Sequence, residues 1–309
     1  SKTFTVLLVN DALIEGGETF AVTLSNPSGN SAVGSPSQII VTINDDDATV
    51  GPNPIDDSTF FVRQHYLDFL GREPDAPGLA FWVSNISSCG ASASCRDAKR
   101  VDTSAAFFLS IEFQETGGFV IRTQRVAFGR LSADPASRVP YLQFMRDTRQ
   151  VGAGVVVGQA GYEAKLEANK QTYAQQVVAS AAFLARFPIT PAAQYVDALY
   201  ASAGVTPAEA ERTAAINAFG AGGTAGRVAA LRSVSDSVSV RQAERNPSFV
   251  LAEYYGYMRR NPTDAPDFGD EGYQFWLSKL NSFGGDFVKA DMVKAFITSS
   301  EYRGRFGQP

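Results

Sequence analysis

The spacing of hydrophobic residues divides the chain into a short alternating part and a long helical part. Within residues 1–47, the runs "KTFTVLLV", "ETFAVTLSN" and "SQIIVTIND" are rich in apolar residues, and the last two alternate between apolar and polar positions. Alternation with a period of two predicts β-strands. From Phe61 onward, apolar residues recur every three or four positions, which predicts amphipathic helices. Residues 48–59 hold two prolines and a glycine and are predicted to be a linker.

One motif occurs twice in the helical part. The stretch "FVRQHYLDFLGREPDAPGLAFW" begins at Phe61, and "FVLAEYYGYMRRNPTDAPDFGDEGYQFW" begins at Phe249. Each copy is followed by a similar ending, "FLSIEF" in the first and "FITSSEY" in the second. The equivalent residues are Phe61 and Phe249, Tyr66 and Tyr254, Leu70 and Met258, Arg72 and Arg260, Pro74 and Pro262, Trp82 and Trp276, and Phe113 and Tyr302.

Weaker copies begin at Phe119 and Tyr195, and the phrase "SAAF" at Ser104 returns at Ser180. We therefore predict four helical repeats, each of which buries its apolar face against a neighbour. The stretch "VGAGVVVGQAGYEAKLEANK" is predicted to be an insertion in the second repeat. The predicted repeats span residues 60–117, 118–190, 191–247 and 248–309.

The repeated charged and aromatic residues have two interpretations. In the first, Arg72 offsets the negative end of a helix dipole, Asp75 caps the next helix, and Trp82 and Trp276 are core anchors. In the second, Arg72, Asp75 and Trp82 form a sugar-binding cluster with an aromatic platform and charged hydrogen-bonding groups. The packing interpretation is favoured, because repeated aromatic residues usually belong to the core.

The outer copies resemble a bacterial domain family of unknown function that occurs in secreted and surface proteins. Its motifs are F-V-x-x-x-Y, L-G-R-x-P-D, G-L-x-x-W and S-x-E-F. Residues 61–113 match this series closely, and residues 249–302 match it with an insertion and with Thr263 in place of the Asp. The two middle copies lack the Trp and most of the turn motif.

The alternating segment resembles the C-terminal half of a Calx-β domain, an extracellular Ig-like sandwich. The matching blocks are "NDALIEGGETFAVTLSNPSG" from Asn10 and "VTINDDD" from Val41. The resemblance implies a partial sandwich in residues 1–47, joined to a mainly helical domain, so the predicted fold class is α+β with separate domains. A half-sandwich leaves an apolar face and strand edges open, and these can pair with another chain. Simple truncation of a longer protein is the alternative.

Calcium is a candidate cofactor of the β segment, because clustered carboxylates supply the oxygen ligands that this ion prefers. In the Calx-β family, acids of these two motifs can bind calcium, and the resemblance carries that role to Glu15, Asp45, Asp46 and Asp47. The alternative interpretation is an acidic loop that keeps a strand edge soluble.

Composition and charge limit the classes of function that the chain can have. The chain has 309 residues and a net charge of −5, which disfavours a basic nucleic-acid surface. No run approaches about 18 apolar residues, so no membrane span is predicted, and the first residues do not read as a signal peptide. Cys89 and Cys95 are predicted to form a structural disulfide, with free thiols as the alternative, and a disulfide indicates an oxidising compartment. His65 is the only histidine, which leaves little for a catalytic triad or a zinc site.

The sequence therefore predicts a non-enzymatic structural or adhesive protein, located outside the cell or at its surface. Its predicted partner is a second copy, through strand complementation of the β segment, with filaments as one outcome. The first alternative is a carbohydrate-binding surface module with calcium at the β end. The second is a glycan hydrolase with an acid pair among the helices.

Overall fold

The computed structural model describes residues 18–25, 27, 32–35, 37–44, 52–188 and 191–307. The protein is mainly helical and carries one small antiparallel sheet, so the prediction of a β segment followed by a helical domain is confirmed at this level. The described residues fall into two compact units. One is drawn from Ser1–Phe61 and Ile297–Pro309, and the other is Val62–Phe296.

The described residues form two strands and fifteen α-helices. The strands are β1 (Glu18–Thr23) and β2 (Gln38–Ile43). The helices of the first half are α1 (Ser58–His65), α2 (Ala76–Ser87), α3 (Ala93–Leu109), α4 (Ile111–Glu115), α5 (Gly117–Phe128), α6 (Tyr141–Gly152) and α7 (Tyr162–Ala179). Those of the second half are α8 (Ala181–Arg186), α9 (Ala192–Ala203), α10 (Glu209–Phe219), α11 (Gly223–Ser235), α12 (Val238–Glu253), α13 (Glu271–Ser282), α14 (Met292–Ile297) and α15 (Ser300–Gly304).

In the first unit, β1 and β2 pair antiparallel, with Phe20 opposite Val41 and Val22 opposite Ile39. The same unit contains a short 3₁₀ turn, Pro54–Asp56, whose preceding Asn53 donates a side-chain hydrogen bond to the carbonyl of Arg303. The Arg303 guanidinium forms two hydrogen bonds to Asp56, of 2.8 and 3.0 Å. These contacts join residues that are far apart in the chain.

The second unit begins with the first copy of the repeated motif. Helix α1 continues into a π-helical turn, Tyr66–Leu70, which ends at Gly71 in the left-handed conformation (φ 66°). The last copy has the same arrangement, because α12 continues into the π-helical turn Tyr254–Met258. That turn ends at Arg259, which is also left-handed (φ 52°). Helix α12 also crosses residue 247 without a break, so one helix joins the third and fourth predicted repeats.

A serine cap lies near the end of each of the four predicted repeats. In every case a serine Oγ accepts a hydrogen bond from the backbone N–H three residues later and starts a new helix. The capping serines are Ser110, Ser180, Ser237 and Ser299. The residues that donate to them are Phe113, Phe183, Val240 and Tyr302, all fully or almost fully buried. Each repeat thus turns sharply at a serine and anchors the turn with a buried side chain.

These caps correct the alignment of the second repeat. The phrase "SAAF" equates Ser104 with Ser180. In the structure Ser180 is a helix cap, equivalent to Ser110, whereas Ser104 is buried inside α3. The match misled because small residues such as alanine suit both the interior of a helix and its first turn.

Helix α5 lies at the centre of the second unit, and every residue from Gly117 to Ala127 is buried. It packs against α6, α9, α11 and α12. Its two arginines are paired inside the protein. Arg122 donates to Asp236 at 2.8 Å and to the carbonyl of Ser235. Arg125 donates to Glu244 at 2.7 Å, so these ion pairs hold α5 to α12 and to the turn that precedes it.

The first and last repeats pack against each other through their π-helical turns. The rings of Phe69 and Tyr257 meet edge to face at 5.1 Å. Asp68, which is buried, receives a hydrogen bond from the Nε of Arg259 at 3.2 Å. Gly256 occupies the position equivalent to Asp68, and Phe69 fills the space that a side chain there would need.

We expect Gly256→Ala to lower the free energy of unfolding by about 1–3 kcal/mol, because the added Cβ would lie 2.7 Å from the Phe69 ring. Chemical denaturation measures this change. Gly34→Ala is the control, since a Cβ at Gly34 meets no atom within 4 Å. Equal stability of the two variants would contradict close packing between the outer repeats.

Candidate functional site

The structure places Arg72 at the centre of the motif. Its Nε and Nη2 donate to the two carboxylate oxygens of Glu112 at 2.6 and 2.8 Å. Its Nη1 lies 3.6 Å from an oxygen of Asp75, and the guanidinium stacks over the Tyr66 ring at 5.0 Å. The backbone N–H of Val157, in the predicted insertion, also donates to Glu112 at 3.4 Å. The "LGR" and "SIEF" parts of the motif are thus joined by a two-pronged ion pair.

The electrostatics of this pair favour a structural role. Burial alone would lower the pKa of Arg72, but the hydrogen bonds and the charge of Glu112 outweigh burial and raise it. The arginine is therefore a permanent cation whose charge is neutralised inside the protein.

Asp75 caps α2, as predicted, by accepting a hydrogen bond from the backbone N–H of Gly78 at 2.9 Å. Gly78 lies directly against the hydroxyl of Tyr66, where no side chain would fit. The same contact recurs in the last repeat between Gly272 and the hydroxyl of Tyr254. A glycine in the first turn of the second helix is thus required by both outer repeats.

Trp82 is half-buried rather than fully in the core. Its ring meets Phe81 edge to face at 4.9 Å and Phe107 at 5.9 Å, whereas the Arg72 guanidinium lies over Tyr66. The structure thus joins two members of the predicted cluster, Arg72 and Asp75, in a packing motif. A sugar-binding role for the three residues together stays a prediction.

The last repeat reproduces this geometry with different residues. Arg260 stacks over Tyr254 at 5.5 Å and donates to Asp267 at 2.8 Å. Trp276 is half-buried and contacts Phe275 at 5.0 Å and Phe296 at 5.7 Å. The two outer copies therefore share their packing as well as their sequence order.

The four candidate calcium ligands, Glu15, Asp45, Asp46 and Asp47, lie outside the described residues. In the part of the chain that the structure describes, no group of three or more His, Cys, Asp or Glu side chains could hold a metal ion. The predicted calcium site stays a prediction.

The predicted disulfide is confirmed, because Cys89 and Cys95 are bonded and connect the end of α2 to the first turn of α3. His65 is fully buried, 2.8 Å from the hydroxyl of Ser104, with its ring against Phe107 and Tyr257. It therefore packs in the core. Within the described ranges, no helix has the length and apolar character that crossing a membrane requires.

Sequence reasoning missed a buried carboxylate at Glu253. This residue is 1% exposed, and its Oε2 has no hydrogen-bond partner among the described residues. Burial raises its pKa well above the ordinary value of 4.5. The alignment of the two outer copies could have predicted this burial. Glu253 aligns with His65, which lies on the buried face of the first helix.

Comparison of the chain with protein-family models, with curated proteins and with solved structures gives no significant match. The function is therefore argued from the chemistry of this chain alone.

We expect Arg72→Gln to lower the free energy of unfolding by about 2–3 kcal/mol, because Glu112 would be left with little compensation at a buried site. Chemical denaturation followed by circular dichroism measures the loss. Arg212→Gln is the control, since Arg212 pairs with Asp197 at the surface and should matter little. A loss no larger than that of the control would show that the Arg72 ion pair does not hold the motif together.

We also expect Glu253→Gln to stabilise the protein at pH 7 and to have less effect as the pH falls towards 4. At low pH the carboxyl is protonated in both states. Above 4.5 the unfolded chain releases the proton while the folded protein retains it, so wild-type stability falls as the pH rises. Denaturation at several pH values tests this. Glu163→Gln, at an exposed position of α7, is the control for the same chemical change. A gain in stability for Glu253→Gln that does not depend on pH would refute the argument.

Proposed function

We propose that this protein is a non-enzymatic structural or adhesive protein, secreted or held at the cell surface, which associates with copies of itself through its β-hairpin. The observation that carries the proposal is the difference in polarity between the two faces of the hairpin formed by β1 and β2. The pairing register puts Phe20, Val22, Ile39, Val41 and Ile43 on one face of the hairpin, with Glu18 at the end of the same row. That face is mainly apolar, and the side chain of Ile39 is 55% exposed.

The opposite face of the hairpin is mostly polar. Its residues are Thr19, Ala21, Thr23, Gln38, Ile40 and Thr42. A sheet with one apolar and one polar face is built to cover its apolar face with another layer. Two strands alone are only marginally stable in water, which gives the hairpin a physical reason to recruit further strands.

Among the described residues, β1 and β2 pair only with each other, so each strand has one edge without a described partner. Strand edges present rows of backbone donors and acceptors that pair readily with another strand. We propose that a second copy supplies such strands and completes a partial Ig-like sandwich. Repeated between copies, this exchange would build chains of molecules.

The disulfide supports an extracellular setting for this assembly. A bond between Cys89 and Cys95 persists in oxidising compartments and is rare in the cytosol. The helical unit, with its paired buried charges, would then act as the scaffold that carries the hairpin.

The test compares two neighbouring isoleucines that point to opposite faces. We expect the wild-type protein to form concentration-dependent oligomers, and Ile39→Asp to make it monomeric because the charge lies on the apolar face. Ile40→Asp, on the polar face and 71% exposed, should leave association unchanged. Sedimentation velocity and electron microscopy of the full chain measure this.

A wild-type protein that stays monomeric at high micromolar concentration would overturn the proposal. Equal loss of association in the two variants would show that self-association does not use the apolar face. Circular dichroism spectra should be the same for both variants, because the substitutions lie outside the helical unit.

A further inference from the structure

The outer repeats both expose a phenylalanine where packing does not require one. Phe81 on α2 is 60% exposed, and Phe275, at the equivalent position on α13, is 56% exposed. Each ring meets the adjacent half-buried tryptophan edge to face, at 4.9 Å for Trp82 and 5.0 Å for Trp276. The inner side of each tryptophan rests on a further phenylalanine, which fixes its orientation. We call each Phe–Trp pair an aromatic shelf.

The shelves also offer a hydrogen-bond donor. Tryptophan N–H groups usually find an acceptor when they are buried. Among the described residues, neither Trp82 nor Trp276 has a hydrogen-bond partner for its indole N–H. Each shelf thus combines an exposed aromatic face with a polar donor at its side.

The size of the shelves argues against a protein partner. One phenylalanine and part of one tryptophan present roughly 150–250 Å². A stable protein interface buries about 800 Å² on each partner. Two small, equivalent and rigid sites suit a polymer that repeats a small unit, because simultaneous binding at both multiplies the affinity.

We propose that the shelves on α2 and α13, which lie at equivalent positions of the outer repeats, are two sugar-binding subsites for a glycan chain. The apolar C–H face of a pyranose ring would stack on Phe81 or Phe275. A ring hydroxyl or ring oxygen would accept a hydrogen bond from the indole N–H of Trp82 or Trp276. This site shares only Trp82 with the predicted cluster of Arg72, Asp75 and Trp82, and it is independent of self-association through the hairpin.

The two subsites differ in charge. The ammonium group of Lys279 lies 5.1 Å from the ring of Trp276 and 5.8 Å from that of Phe275. It has no carboxylate partner among the described residues. The corresponding helix position on α2 is Asn85, which is neutral. The α13 subsite therefore fits a sugar that carries a carboxylate or sulfate, whereas the α2 subsite fits a neutral one.

The experiment applies the full chain to a printed array of neutral and acidic bacterial and plant glycans, then measures the best binders by calorimetry. We expect binding to glycans that contain acidic sugars. Phe81→Ala and Phe275→Ala should each weaken it about a hundredfold, because one subsite of a bivalent contact is lost. The double variant should not bind. Lys279→Gln should weaken binding to acidic glycans and leave neutral ones unchanged.

Leu142→Ala is the matched control, since Leu142 is 73% exposed and lies on α6, outside both shelves. Trp82→Phe keeps an aromatic ring but removes the N–H together with part of the ring, so it should reduce affinity, and circular dichroism checks that the helices stay folded. Absence of binding to every array feature would overturn the proposal. Binding that survives the double Phe variant, or a double variant that loses self-association instead, would overturn it as well.

Discussion

The complete burial of helix α5 is the constraint to which the rest of the helical unit conforms. A helix that is covered on all sides can carry arginines only if each one finds an acidic or carbonyl partner inside the protein. Arg122 and Arg125 meet this requirement through Asp236 and Glu244. Since these partners come from α12 and the turn before it, the second repeat is positioned by charge as well as by shape. A similar ion pair, between Arg72 and Glu112, joins two parts of the first repeat.

The sequence was informative where periodicity or motif spacing has a local physical cause. Helical periodicity predicted the helical domain, and the spacing of Cys89 and Cys95 predicted their bond. The duplicated motif predicted the matching outer repeats. The serine caps were harder to find, because a cap depends on one hydroxyl and one buried side chain, and the phrase "SAAF" matched a helix interior equally well. Ion pairs between distant segments, such as Arg125 with Glu244, leave no pattern in a single sequence.

The candidate site residues, too, could be predicted only where a local sequence pattern marks them. The sequence identified Arg72 and Trp82 because they recur, and Asp75 because it lies in the turn between them, but such a pattern alone does not separate packing from binding. The hydrogen-bond partners of each residue separate the two roles. Arg72 and Asp75 form their hydrogen bonds within the repeat, whereas the indole N–H of Trp82 has no partner among the described residues. The sequence analysis did not single out Phe81, which the structure shows to be exposed. The carboxylates proposed for calcium lie outside the described residues, so the calcium prediction rests on coordination chemistry and on the Calx-β resemblance.

The contact between the π-helical turns also limits how such a protein can grow. In an open solenoid, new units can be added at either end. Here the first and last repeats recognise each other through Asp68 and Arg259, two residues that stand at non-equivalent positions of the repeat. An insertion that moved the two turns apart would break this ion pair. The outer copies are therefore tied to each other, so a chain with further repeats between them would have to break this contact or rebuild it.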